Sequence, residues 1–275
     1  MLCSTVRTLT ISLTLLAGSI SLPALADDTI YTYKDLNEQL VLSTAWTQAS
    51  AEFRALSYQA FNLAKMQFDA YSDSYTGNKK IAIVVDADET VIDNSAYQAW
   101  LIDKDFGFSN ATWNKWMDAG EATAMPGAKG FLNYVAQNGG EVFYITNRKV
   151  IGLEGTRQNL IELGFPNVDD AHLMLKTSTS DKEPRRQTVL ENYDIALFMG
   201  DNLNDFSNDF KTESFTESYA AIEKNKDLFG TQFIMLPNPA YGDWEGKLYN
   251  NHWGASATEK SQMRKSHLHA WEPNE

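Results

Sequence analysis

The sequence is nearly empty of cysteine: Cys3 is the only one. Histidine is scarce too. His172, His252, His267 and His269 show no metal-ligand spacing, and His267-x-His269 falls in a polar tail that reads as surface. Positive charge is short, with 23 Lys and Arg against 36 Asp and Glu, a net charge of −13 and a pI near 4.7. Nucleic acid polymers and anionic membranes repel such a chain, so neither is expected as its main partner. No apolar run of roughly 18–20 residues follows the first 26, so no stable membrane insertion is expected. Internal repeats and low-complexity tracts are absent. What remains is ordinary for a folded protein: 43% apolar and 21% charged residues over 275 positions. That length suits one large domain, or a domain with a small cap.

Met1 to Ala26 reads as a secretory signal peptide. Arg7 supplies the positive start, Leu9 to Ile20 the short apolar stretch, and Ala24-Leu25-Ala26 a small-x-small cleavage site. Cleavage there leaves residues 27–275 without any thiol, which excludes disulfides, thiolate catalysis and cysteine-zinc sites together. A lipoprotein cysteine should follow the apolar stretch, whereas Cys3 precedes it. The product is therefore expected in the periplasm or secreted.

Thr44 to Tyr71 carries apolar residues at helical spacing, among them Phe53, Ala60, Phe61, Ala64 and Phe68. Thr76 to Lys80 breaks that pattern. Ile81 to Val85 is then a continuous apolar run, the mark of a strand buried on both faces. Similar runs follow at Val142–Ile145, Ile195–Met199 and Phe233–Leu236, with helical patterns near Ala128–Gln137, Gly155–Leu163 and Glu183–Asn192. Strands alternating with helices predict an α/β, Rossmann-like fold: a central parallel sheet flanked by helices. Its core is expected over about 77–94 and 126–250. Helical elements over about 40–75 and a small, mostly helical cap over about 95–125 complete it. The cap stretch is rich in Trp, Asn and Asp and holds Trp100, Trp113 and Trp116.

The polar residues at the ends of these runs carry the chemistry. The first run leads into Asp86-Ala87-Asp88-Glu89-Thr90, the second into Thr146-Asn147-Arg148, and the run at 195–199 into Gly200-Asp201-Asn202-Leu203-Asn204-Asp205; Lys182 opens a helix. In an open parallel sheet, ligands bind at the carboxyl ends of the strands, so these four segments should converge. Carboxylates so close repel each other and call for a cation with oxygen ligands, such as Mg²⁺ or another small divalent ion. The set suits phosphoryl transfer: one carboxylate as nucleophile, a second two residues on as general acid and base, and Thr146 and Lys182 on the phosphoryl oxygens.

The same four motifs resemble those of the bacterial class C acid phosphatases of the haloacid-dehalogenase superfamily. The resemblance runs over nearly all of 27–275, including the helix before the first strand and Met235-Leu236-Pro237-Asn238. It implies Asp86 as nucleophile and Asp88 as general acid/base. For the metal it implies Asp86, the backbone carbonyl of Asp88, Asp201 directly, and Asp205 through water or from behind the direct ligands. Thr146, Asn147 and Lys182 would bind phosphate. Some members of that family are outer-membrane lipoproteins; this chain lacks a suitably placed cysteine. Ala87 also departs from the larger apolar residue usual there.

Other residues of the motifs have plainer expectations. Asp93 suits a cap or turn. Glu89 is expected to face away from the metal or to brace the cap. Arg148, Arg185 and Arg186 should brace the motif loops or pair with acidic surface. Among the aromatics, Trp113, Trp116, Tyr241 and Trp244 each suit either core packing or ligand contact. Tyr241 lies in a Pro/Gly-rich loop after the last strand, and the resemblance implies an aromatic clamp for a nucleoside base there and in the cap. Trp113 and Tyr241 are its candidate members.

Two function classes follow: an exported, metal-dependent phosphatase of small phosphomonoesters, including nucleoside 5′-monophosphates, and a non-catalytic storage or binding protein on the same fold. The presence of Asp86 favours the first. A dehalogenase does not need this acidic set, and a phosphomutase would not be exported. A homodimer is compatible with either class.

Overall fold

The computed structural model describes residues 30–273; the expected signal peptide, 1–26, lies outside the described residues. Residues from Tyr31 onward form one compact unit.

Five strands build the central sheet: β1 (Lys80–Val85), β4 (Gly140–Lys149), β5 (Leu173–Lys176), β6 (Tyr193–Gly200) and β7 (Phe233–Met235). Their order is β5-β4-β1-β6-β7, and every pairing is parallel. β1 is the central strand. Its alternation explains why the run is apolar throughout. Ile83 and Val85 point to one face, where they join Phe61, Phe68 and Leu132 from the helices Ala51–Ser74 and Ala128–Gln137. Ala82 and Val84 point to the other, where Val189 of the helix Glu183–Asn192 covers them. A strand covered on both faces cannot afford a polar side chain until it ends.

The sequence shows four of these strands and misses β5. Leu173–Lys176 has four residues, two of them half-buried, at the edge of the sheet. So short an alternating stretch has no signal of its own. The helix expected over Thr44–Tyr71 is two helices, Val41–Ala49 and Ala51–Ser74. Ser50 between them is extended, and its hydroxyl accepts from the Phe53 amide as an N-cap. Apolar spacing runs through such a break unaltered, and Trp46 packs edge-on against Phe53 across it at 5.4 Å. A further short helix, Tyr33–Glu38, precedes both.

The cap is an insertion between β1 and the helix Ala128–Gln137. Two short antiparallel strands form its neck, β2 (Ile92–Asp93) and β3 (Thr123–Ala124). Between them lie the helices Ser95–Ile102 and Asn110–Ala119. Asp93 accepts from the Ser95 amide at 2.7 Å, the turn role its position suggests.

Candidate active site

Asp86 is the first residue past β1. Its amide still donates to Met199 of β6, so the backbone is held by the sheet while the side chain is freed at its edge. The chain then turns tightly around one atom: the amides of Thr90, Val91 and Ile92 all donate to the carbonyl of Ala87. Glu89 takes a left-handed conformation in this turn (φ 54°). Its carboxylate accepts from the backbone amide and side-chain amide of Asn94, so Glu89 braces the start of the cap.

Asp201 and Asp205 reach the same place from the end of β6. Asp205 closes a one-turn 3-10 helix, Leu203–Asp205, and accepts from the Asn202 amide as a capping box. Gly200 makes room for it: a Cβ at position 200 would overlap the Asp205 side chain. Asp201 accepts from Thr90 at 3.2 Å and from Asn238 at 2.8 Å. Asn238 follows β7 as the motif residues follow the other strands. Carboxylate oxygens of Asp86, Asp201 and Asp205 lie within 4.8 Å of one another. The Lys182 ammonium sits among them, paired with Asp86 and, at 2.7 Å, with Asp205.

Burial pushes the Asp86 carboxyl up to about 7; Lys182 pulls against this, while Asp205 and Asp88 add to it. Asp201 is raised well above the carboxylate range by burial and then by Asp205 and Asp86. One ammonium does not balance three crowded carboxylates, and the donors are all oxygen. That is the ligand set of a small hard dication, so the residues present fit one.

The side chain of Asp88 does not join this cluster. Its Oδ1 accepts from Arg148 Nε at 2.8 Å and from Asn94 Nδ2 at 2.9 Å. Arg148 is almost wholly buried and also donates to Asn94 Oδ1 and to Thr156. Among the described residues no donor reaches Asp88 Oδ2. Thr146 is fully buried, its hydroxyl accepting from the Arg148 amide. Asn147 is exposed, and its Oδ1 accepts from Arg185. Arg185 also donates to the Thr146 carbonyl, and Arg186 to the carbonyls of Asn204 and Asp205. The two arginines thus tie the motif loops together.

A cavity of about 710 Å³ opens over these groups. Asp86, Asp88, Asn147, Lys182, Asp201 and Asp205 line it, and Thr146 does not. Trp113 and Tyr241 line its walls, with Phe108 beside them. Trp113 packs edge-on against Tyr97 at 5.0 Å and lies under the Arg148 guanidinium at 5.6 Å. Trp116 and Trp244 are not in the lining. Sequence reasoning missed a wall: Tyr33, Leu36, Asn37 and Leu40 also face the cavity. The Asn37 amide donates to the carbonyls of Leu101, Lys104 and Phe106, which fastens this segment to the cap. Nothing in a short polar helix far from any motif signals that role.

A family model for the haloacid-dehalogenase superfamily, subfamily IIIB (acid phosphatase), matches residues 8–244. The chain belongs to this family. The phosphatase is similar, at 38% identity, to the class C acid phosphatase of Bacillus anthracis, with a TM-score of 0.82 over 86% of this chain and 99% of that one. A structure of the same Bacillus anthracis enzyme with tungstate bound matches equally well. Membership makes the protein a phosphomonoesterase acting on small phosphomonoesters. It also bears out the parallel α/β fold that the strand pattern predicts. No helix among the described residues is long and apolar enough to cross a membrane.

Proposed function

We propose that this acid phosphatase is an exported, Mg²⁺-dependent enzyme that hydrolyses nucleoside 5′-monophosphates through an aspartyl-phosphate on Asp86. The observation that carries the proposal is the position of Asp86. Its carboxylate belongs to the Asp86, Asp201 and Asp205 cluster and faces the cavity beside Asp88.

In this reading Asp86, Asp201, Asp205 and the backbone carbonyl of Asp88 hold the cation. Bound there, it would supply positive charge against the crowded carboxylates and the incoming phosphate. Lys182 and Asn147, with Thr146 behind them, hold the phosphoryl oxygens. Tungstate is a tetrahedral oxyanion, and its binding to the Bacillus anthracis relative supports such a pocket here. An Asp86 oxygen attacks phosphorus, and the bond to the leaving alcohol breaks. Asp88 gives its proton to that oxygen through Oδ2, the atom left open by Arg148 and Asn94. Asp88, now ionised, takes a proton from the water that attacks the phosphoenzyme, which returns both residues to their starting state and releases phosphate.

Trp113 and Tyr241 would flank the base. Export rests on the leader-like pattern of Met1 to Ala26. Acid quenching during turnover of a nucleotide with radiolabelled phosphate should leave label on the protein. If the wild-type enzyme turns over and never carries label, while a known phosphoenzyme does in parallel, the covalent reading fails.

A further inference from the structure

Trp116 is absent from the cavity lining, yet its indole belongs to the same hydrogen-bond chain as Asp88. Its Nε1–H donates to Asn94 Oδ1 at 2.7 Å. The Arg148 guanidinium donates to that same oxygen at 2.9 Å. Neither partner can ever accept, so the Asn94 amide has one orientation and no flipped alternative. Its Nδ2 must then face Asp88 Oδ1 and Glu89 Oε2, at 2.9 and 3.3 Å. Asn94 is fully buried, and all four hydrogen-bonding sites of its amide are filled. The consequence falls on Asp88. Two donors occupy Oδ1, which leaves Oδ2 as the oxygen free to meet the substrate.

We infer that Trp116 is a positioning residue for leaving-group protonation, acting from the cap through Asn94 to fix which oxygen of Asp88 faces the substrate. The inference rests on the acid/base reading of Asp88. Trp116 is also a packing residue, half-buried against the main core cluster and 6.4 Å from the Tyr97 ring. The two roles separate cleanly. Phenylalanine keeps an aromatic ring in that place and removes only the N–H.

The test uses two substrates that each carry a ring but differ in leaving group: para-nitrophenyl phosphate, whose phenolate leaves with little help, and benzyl phosphate, whose alkoxide needs a proton. Relative to wild type, Trp116→Phe should lose on the order of tenfold in kcat/KM on benzyl phosphate and less than about threefold on para-nitrophenyl phosphate, a fraction of what a whole general acid supplies. Inhibition by inorganic phosphate should be unchanged. Equal losses on both substrates would overturn the inference and leave Trp116 a packing residue. Asp88→Asn is the reference. If it discriminates between the substrates and Trp116→Phe does not, the inference alone fails. If Asp88→Asn does not discriminate either, the acid reading of Asp88 has failed and takes the inference with it. Should Trp116→Phe not fold, Asn94→Ala cuts the same link and is judged by the same ratio.

Discussion

The Lys182 ammonium pairs with Asp86 across 96 positions of sequence, and the same ammonium reaches Asp205. Along the chain neither Asp86 nor Asp201 has a basic neighbour, which suggests that only a metal can neutralise them. In space the helix Glu183–Asn192 delivers one cation to the cluster from its N-cap position. Lys182 is itself raised: burial would lower it, and Asp205 and Asp86 outweigh burial. It is therefore held charged, and it leaves the cluster with a net excess of acid for a dication to balance.

Asp86→Asn should lower turnover by at least about a thousandfold, as expected on losing a covalent nucleophile. The fold should survive, because Lys182 keeps Asp205 as its partner. The check is phosphate release beside a thermal unfolding curve; a folded variant that retains a tenth of the activity excludes Asp86 as nucleophile.

Chelation with EDTA should abolish activity, and Mg²⁺ or a similar small divalent ion should restore it. The donors of Asp86, Asp201 and Asp205 are all carboxylate oxygens, the preference of hard cations. Full turnover by the chelated enzyme would mean that Lys182 suffices.

Trp113→Ala and Tyr241→Ala should raise KM for nucleoside monophosphates by roughly tenfold to a hundredfold, the worth of about 1–3 kcal/mol of base stacking. KM for a simple alkyl phosphate should change much less. Every base has a stacking face, so the four common 5′-monophosphates should serve about equally. Matching KM increases for nucleotide and alkyl phosphate would assign both rings to the fold.

Glu141 provides a pH test away from the site. Burial alone would raise its carboxyl, but hydrogen bonds from Lys80, Tyr193 and His172 overcome this and hold it down to about 2. A depressed acid stabilises the fold above its unfolded value of about 4.5 and loses that stabilisation as pH falls toward 2. Solvent screening around the exposed Lys80 brings the net contribution down to about 1 kcal/mol. Glu141→Gln should therefore lower stability at pH 7 and change it little near pH 2. Denaturant melts at several pH values will show whether the gap between wild type and variant closes in that window.

Gly200→Ala should impair activity more than stability. The new methyl group meets the Asp205 side chain, and relieving such overlap typically costs about 1–3 kcal/mol. Activity drops because Asp205 is the group displaced. An active variant with wild-type metal affinity would show that the 3-10 turn can yield.

The central strands were legible because burial on both faces leaves an unmistakable apolar run, and the acids were legible because each run stops at them. Asp86, Asp88 and Asp201 fall at such a boundary, Asp205 lies a few residues past one, and Lys182 stands at a helix start. Ser50 and β5 were not legible, since a helix break preserves apolar spacing and a four-residue edge strand carries too little of it. The partners that hold Asp88 were only partly visible. Arg148 lies in a motif, and its bracing role was expected; Asn94 and Trp116 act through geometry that no spacing records. The Asn37 wall was invisible for the same reason.

That wall has a consequence for what the pocket depends on. The helix Tyr33–Glu38 holds the cap through Asn37, and it is itself held by the helix Ala257–Ser266: Arg264 donates to the Leu36 carbonyl and to Gln39, and Gln39 to Ser261. One side of the cavity is thus a clasp between the first and last helices among the described residues. A chain cut before position 257 would keep every strand of the sheet and lose the helix that holds this wall. The pocket thus depends on a stretch that contributes nothing to the sheet beneath it.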